Sequence, residues 1–134
     1  DKPSKPICGE CEKCITACPT NAIEEPFIVN SNKCLAYHTL ENREKELPAH
    51  IVNKMGNWIA GCDICQEVCP WNHKNIPNTS EPDLQPSEWI LNITKQEALS
   101  WSDSKWKENL SRSALKRIKP WMWRRNINST LQNS

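Results

Sequence analysis

The chain has 134 residues, a mass of 15.4 kDa and a formal net charge of +1, enough for one domain or a small domain with an appendage. Leu, Ile, Val and Phe together supply only 25 of those residues, too few for a conventional apolar core, while the near-zero charge argues against disorder. The three glycines, Gly9, Gly56 and Gly61, permit no G-x-G-x-x-G, and Cys62-Asp63 stands where a phosphate-binding loop needs Lys and Ser or Thr.

No apolar run approaches the roughly 20 residues that cross a bilayer. The chain opens Asp1-Lys-Pro-Ser-Lys-Pro, with neither a signal peptide nor an initiator Met, and is expected to be part of something longer. The first element is a cysteine run, Cys8-x2-Cys11-x2-Cys14-x3-Cys18-Pro19. Phe27-Ile-Val is a short strand candidate, and Asn30, Ser31 and Asn32 offer N-caps for a helix running through Cys34 to Leu40. Pro48 opens another helix, with Ile51, Val52 and Met55 on one face and Gly56 as its stop. A second run follows, Cys62-x2-Cys65-x3-Cys69-Pro70.

Residues 76–88 form a Pro-rich linker. Beyond it the pattern is helical. Thr94-Lys-Gln-Glu97 is a capping box. Ser102 caps a helix carrying Trp106 and Leu110, and Ser111 one carrying Leu115 and Ile118. Pro120 opens a last helix with Trp123, Ile127 and Leu131 in line. The predicted architecture is α+β, mostly α: a cluster domain over 1–75, the linker, and a basic helical tail over 89–134. Most of the seven tryptophans are assigned to the core, with one or two left to contact a partner.

The cysteines decide the chemistry. The first spacing is the ligand run of bacterial two-cluster [4Fe–4S] ferredoxins, in which the fourth Cys serves the other cluster. A disulfide scaffold and a zinc site are the rivals. Cysteines three apart on a tight loop are poorly placed to bridge one another, and zinc knuckles call for paired Cys-x2-Cys motifs. By the ferredoxin crossover, Cys8, Cys11 and Cys14 take Cys69 as their fourth partner. Cys18, Cys62 and Cys65 are then one ligand short; Ile59 occupies the position where a symmetrical ferredoxin would place it, and Cys34 is the remaining thiol. His38, His50 and His73 form no paired ligand pattern and read as ordinary exposed or capping side chains.

Charge divides along the chain. Residues 1–100 carry nine Lys and Arg against 14 Asp and Glu, whereas residues 101–134 carry eight against two. Arg112, Lys116 and Lys119 fall on one face of the helix predicted there, with Arg117 beside them and Arg124 and Arg125 on the next. A solvated face is the plain reading of such a patch; the lack of compensating acids favours a phosphate backbone, and thus a nucleic acid.

The strings Cys8-Gly-Glu-Cys-Glu-Lys-Cys-Ile-Thr-Ala-Cys-Pro-Thr-Asn-Ala-Ile23, Cys34-Leu-Ala-Tyr-His-Thr-Leu-Glu-Asn42, Gly61-Cys-Asp-Ile-Cys-Gln-Glu-Val-Cys-Pro-Trp-Asn72 and Ser113-Ala-Leu-Lys-Arg-Ile-Lys-Pro-Trp-Met-Trp-Arg-Arg-Asn126 closely resemble the epoxyqueuosine reductase family. The resemblance implies the C-terminal part of a cytoplasmic, cobalamin-dependent oxidoreductase with two [4Fe–4S] clusters. Such an enzyme removes the epoxide oxygen of epoxyqueuosine at the tRNA wobble position. It implies that Cys8, Cys11, Cys14 and Cys69 hold the cluster nearer cobalamin and that Cys18, Cys34, Cys62 and Cys65 hold the outer one. Cys62 and Asp63 would face the corrinoid. The tail would be a HEAT-like appendage meeting tRNA through Arg112, Lys116, Arg117, Lys119, Arg124 and Arg125. A flavodoxin or ferredoxin would donate electrons, and no membrane is involved. The cobalamin domain, with its proton-donating acid, would lie before residue 1, so this chain would not be active alone. The competing reading is a free-standing two-cluster electron carrier without a tRNA role.

Overall fold

Ten prolines in 134 residues keep the elements short, because proline has no N–H to donate and cannot sit inside a helix without breaking it. The computed structural model describes residues 2, 8–73 and 77–132; Ile76, the first residue of the predicted linker, lies outside them. The first helix, α1 (Lys13–Ala17), ends at Cys18 ahead of Pro19. An antiparallel hairpin follows, β1 (Ile23–Glu25) with β2 (Ile28–Val29), pairing Ile23 with Val29 and Glu25 with Ile28. Phe27, predicted within the strand, has φ +69° and lies outside it, between β1 and β2.

The helix predicted through Cys34 is in fact two pieces. A 3-10 turn, Ser31–Lys33, is capped by Asn30, whose side chain accepts the Asn32 N–H at 3.1 Å. The helix α2 (Leu35–Leu40) begins only after Cys34, which is extended at φ −77°, ψ 123°. Cys34 therefore stands in a break between helices. Pro48 opens α3 (Ala49–Val52), which ends four residues short of Gly56. Then come α4 (Ile64–Glu67), α5 (Glu88–Asn92), α6 (Lys95–Ser100), α7 (Asp103–Leu110) and α8 (Pro120–Leu131).

Side-chain caps set the tail's registers. The Thr94 hydroxyl accepts the Glu97 N–H at 3.1 Å and the Ser102 hydroxyl that of Lys105 at 3.2 Å, as the capping patterns predict. The predicted Ser111 cap is a correction: Ser111 closes α7, and Ser113 caps only a 3-10 turn, Ala114–Arg117. With no α-helix between Ser111 and Ile118, the helical face drawn through Arg112, Lys116 and Lys119 does not exist. Those cations lie on a turn and its flanks.

Two apolar clusters hold the described residues. The larger joins Ala98, Trp101, Trp106, Leu110, Ile118, Met122, Trp123 and Ile127, and Leu40, Ile59 and Ala60 pack on it from the cysteine-bearing half. Trp101 and Trp123 stack at 5.8 Å, and the Trp123 indole N–H donates to the Ala98 carbonyl at 3.0 Å. The smaller contains Leu35, Leu47, Ile51 and Met55, with Val52, Trp58 and Cys62 against it. Among the described residues from Cys8 to Lys33, Ala22 is the single buried hydrophobic side chain. Apolar burial does not account for that segment.

Candidate metal centres

Each cysteine run folds as a loop, a short helix and a Cys-Pro exit. In the first, the Cys11 N–H donates to the Cys8 carbonyl at 3.1 Å, α1 carries Cys14, and Cys18 follows its end. In the second, Cys62 precedes Asp63, the N-cap of α4; Cys65 lies on that helix and Cys69 just beyond it. Pro70 opens a 3-10 turn, Pro70–His73. Asn72 folds this turn back, its amide donating to the Gln66 carbonyl at 2.8 Å, and His73 hydrogen-bonds to the Glu67 carbonyl. The exit of Cys69 is thereby fixed.

α1 packs against α4, and this contact brings the two runs together. Cys8, Cys11, Cys14 and Cys69 line one cavity, with Lys13, Pro70 and Trp71 completing its wall. The thiols of Cys18, Cys34 and Cys65 all lie close enough to Cys62 to act on its charge. The eight cysteines thus fall into two spatial sets of four, each including one thiol from the opposite run.

The electrostatics of the second set are uneven. Burial pushes the Cys62 thiol up, and neighbouring Cys65, Cys34 and Cys18 add to this against one opposing backbone N–H from Ile64. Burial acts the same way on Cys18, but there it is outweighed. The Ala22 N–H reaches the sulfur at 3.2 Å, and with the N–H groups of Thr20 and Ile23 and the Thr20 hydroxyl it holds this thiol below its ordinary range. Hydrogen bonds of this kind favour thiolate and tune any metal it binds.

The donor set is all sulfur. All eight cysteines are free. Soft thiolates select iron–sulfur clusters, zinc or copper(I). Among the described residues no three His, Cys, Asp or Glu side chains converge on a point suited to a single ion. Four thiols lining one cavity, as Cys8, Cys11, Cys14 and Cys69 do, suit a multi-iron cube, whose corners each take one sulfur, better than one tetrahedral ion.

The remaining predicted site residues are scattered. Asp63 is exposed beside half-buried Cys62. Arg112, Lys116, Arg117 and Lys119 are exposed. Arg117 pairs with Glu41, and Arg124 is half-buried with a 2.6 Å ion pair to Asp103. Arg125 departs from its predicted role on the basic face. It is 9% exposed, and its guanidinium donates to the backbone carbonyls of His38 at 3.0 Å, Asn42 at 2.9 Å and Glu44. Its side chain points inward because α8 packs over the segment following α2.

Sequence reasoning also missed a polar network around α2. His38, expected to be an ordinary exposed or capping side chain, is buried. Its Nε2–H donates to the Asn32 carbonyl at 2.8 Å, and its Nδ1 accepts from the Asn42 amide at 2.9 Å. The four-residue spacing of His38 and Asn42, the latter just beyond the end of α2, is the one readable signal. Thr39 and Asn126, both fully buried, carry no sequence mark at all.

Comparison with known proteins agrees with this geometry. The 4Fe-4S double cluster binding domain family matches residues 7–72. An epoxyqueuosine reductase of Prochlorococcus marinus (strain NATL2A) is 82% identical over 129 residues, covering 96% of this chain and 41% of the relative. One from Synechococcus sp. (strain CC9605) is 57% identical, covering 94% and 39%. A crystal structure of epoxyqueuosine reductase with a tRNA-Tyr epoxyqueuosine-modified stem loop superposes with a TM-score of 0.86 at 32% identity, covering 99% of this chain and 35% of that one. The chain spans about two fifths of the length of the curated relatives it matches. The fold is the expected mostly helical one with a small sheet, it is built to bind two [4Fe–4S] clusters, and the chain belongs to the epoxyqueuosine reductase family.

Proposed function

We propose that this chain is the electron-relay and tRNA-facing portion of an epoxyqueuosine reductase acting on the tRNA wobble position. The observation that carries the reading is the partition of eight thiols into two sets of four, in a chain whose relatives bear that name. Cys8, Cys11, Cys14 and Cys69 are assigned to one cluster and Cys18, Cys34, Cys62 and Cys65 to the other. When bound, the two clusters supply one-electron transfer, and cobalamin, held by a part of the enzyme outside this chain, supplies the reduction at the epoxide.

The residues here position and insulate. The interlocked α1 and α4 hold the two thiol sets side by side, the arrangement a short electron path requires. Trp71 and Pro70 wall the first set. The exposed Asp63 is assigned to the corrinoid-facing turn. A flavodoxin- or ferredoxin-class protein is the proposed donor, and the cytoplasm the compartment, since thiolate ligands require reducing surroundings. No described helix is long and apolar enough to cross a membrane.

The division into residues 1–75 and 89–134 is proposed as one of role, redox and RNA. A free-standing carrier is the weaker reading, because the likeness to epoxyqueuosine reductases runs through the basic tail as well. Arg112, Lys116 and Lys119, exposed and without an ion pair among the described residues, are the proposed phosphate contacts, with Arg117 and Arg124 at the margin.

Two experiments test the reading. Cys34→Ala should lose one cluster selectively, so iron in anaerobically purified chain falls from about eight toward about four atoms; unchanged iron ends the assignment of Cys34. Arg112→Glu, Lys116→Glu and Lys119→Glu together should weaken binding to a tRNA anticodon stem loop. The slope of log K against log salt should flatten by about 2–3, roughly one for each phosphate no longer neutralised. An unaltered slope would remove this surface from the interface.

A further inference from the structure

The cysteines of the second set come from three separate stretches, and what fixes two of these against each other is not sulfur chemistry. Cys34 stands at the N-cap of α2, and its carbonyl accepts the His38 N–H at 3.1 Å. Cys62 follows Gly61, whose φ of +77° is a left-handed conformation suited to glycine. The Gly61 N–H donates to the Thr39 hydroxyl at 3.0 Å, while that hydroxyl donates to the Leu35 carbonyl at 2.9 Å. One oxygen therefore ties the residue before Cys62 to the residue after Cys34.

A second clamp repeats the connection from the tail. The Asn126 amide donates at 2.8 Å to the Thr39 carbonyl and at 2.8 Å to the Ile59 carbonyl, spanning the same two stretches. Its own oxygen accepts from Arg125 Nε at 3.0 Å and Nη2 at 2.9 Å, so the amide cannot turn over without breaking four bonds. Thr39 and Asn126 are both 0% exposed, and buried hydrogen bonds of this kind fix geometry because no water replaces them.

We propose that Thr39 and Asn126 are positioning residues for the second cluster, setting the separation of the Cys34 and Cys62 thiolates, and that helix α8 is in this way part of the redox site. This rests on the ligand assignment made above. Neither residue touches the first thiol set, whose cavity wall is built from residues 8–14 and 69–71. The effect is therefore selective for one cluster of the two.

The test uses the cluster-loaded chain, anaerobic, with iron release to a chelator and a redox titration as readouts. Thr39→Val keeps shape and removes the hydroxyl. It should release one set of about four irons roughly tenfold faster, the worth of about one buried hydrogen bond, and shift the midpoint potential of that cluster alone. The faster set should be the one absent from Cys34→Ala. Thr39→Ser, which restores the hydroxyl, should restore both values. If Thr39→Val does not yield folded chain, Asn126→Asp, which keeps the acceptor toward Arg125 and removes both donors, is read the same way. Equal acceleration of both iron sets, or no change in either, overturns the proposal. A Cys34→Ala chain that keeps all its iron overturns the ligand assignment and this inference with it, whereas loss of four irons there beside an unaffected Thr39→Val overturns this inference alone.

Discussion

Arg125→Ala is expected to lower the stability of the chain by about 3–5 kcal/mol, a third or more of what holds a typical domain folded. The guanidinium reaches three backbone carbonyls, two through buried hydrogen bonds, and the oxygen of Asn126. Each acceptor left unsatisfied out of reach of water costs about 1–3 kcal/mol. The ring of Trp121, 5.4 Å from the Arg125 guanidinium carbon, adds a cation–π contact. Burial, with Arg43 nearby, draws the Arg125 pKa down, yet arginine starts so high that it remains charged under any working condition. Arg125→Lys should recover little, since one ammonium cannot reproduce a fork directed at carbonyls 38, 42 and 44. Urea titration measures this as a fall in midpoint at unchanged slope. A midpoint within the range of an ordinary surface substitution would contradict the buried placement of this side chain.

Stripping the iron should have a larger but more local effect. Among described residues, α1, β1, β2 and α4 bury no side chain of their own, and the adjoining loop contributes only Ala22. Ordering a backbone residue costs about 1–2 kcal/mol, and the little apolar burial here, Ala22 with half-buried side chains such as Ile15 and Val68, does not offset that. Binding energy at a structural metal site is folding energy. Chelation under reducing conditions should therefore raise amide exchange across residues 13–25 and 64–69 by about a hundredfold or more, toward unfolded rates. Amides of α8 around Ile127, anchored in the tryptophan-rich core, should keep their protection. Protection that survives in α1 and α4 would show that something other than the clusters orders them.

What the sequence makes readable is whatever chemistry is written at fixed spacing. Ligand runs qualify, because loop closure around a cube dictates their intervals, and so do caps such as Thr94 and Ser102, whose partner lies three residues on. Ser111 and Ser113 show the limit. Both precede apolar residues at helical intervals, and Pro120 leaves so little chain before it that a 3-10 turn forms instead. Arg124 and Arg125 show another. They are neighbours in a basic string, yet one helical step, about 100°, turns the first toward Asp103 and the second into the interior. Which faces inward depends on what α8 packs against, and that partner lies 81 to 87 residues earlier. Thr39 and Asn126 are illegible for a related reason: their bonds reach main-chain groups of Gly61, Thr39 and Ile59 that only the folded chain brings within reach.

The reach of α8 across the exposed Pro-rich stretch also says what that stretch is not. Residues 79–86 are all solvent-facing and offer a natural place for a protease to cut. The guanidinium of Arg125 and the amide of Asn126 fasten the far side of such a cut to carbonyls 38, 39, 42 and 59, so a nicked molecule stays in one piece under native conditions. The stretch is a strap laid over an already joined body rather than a hinge about which two bodies swing.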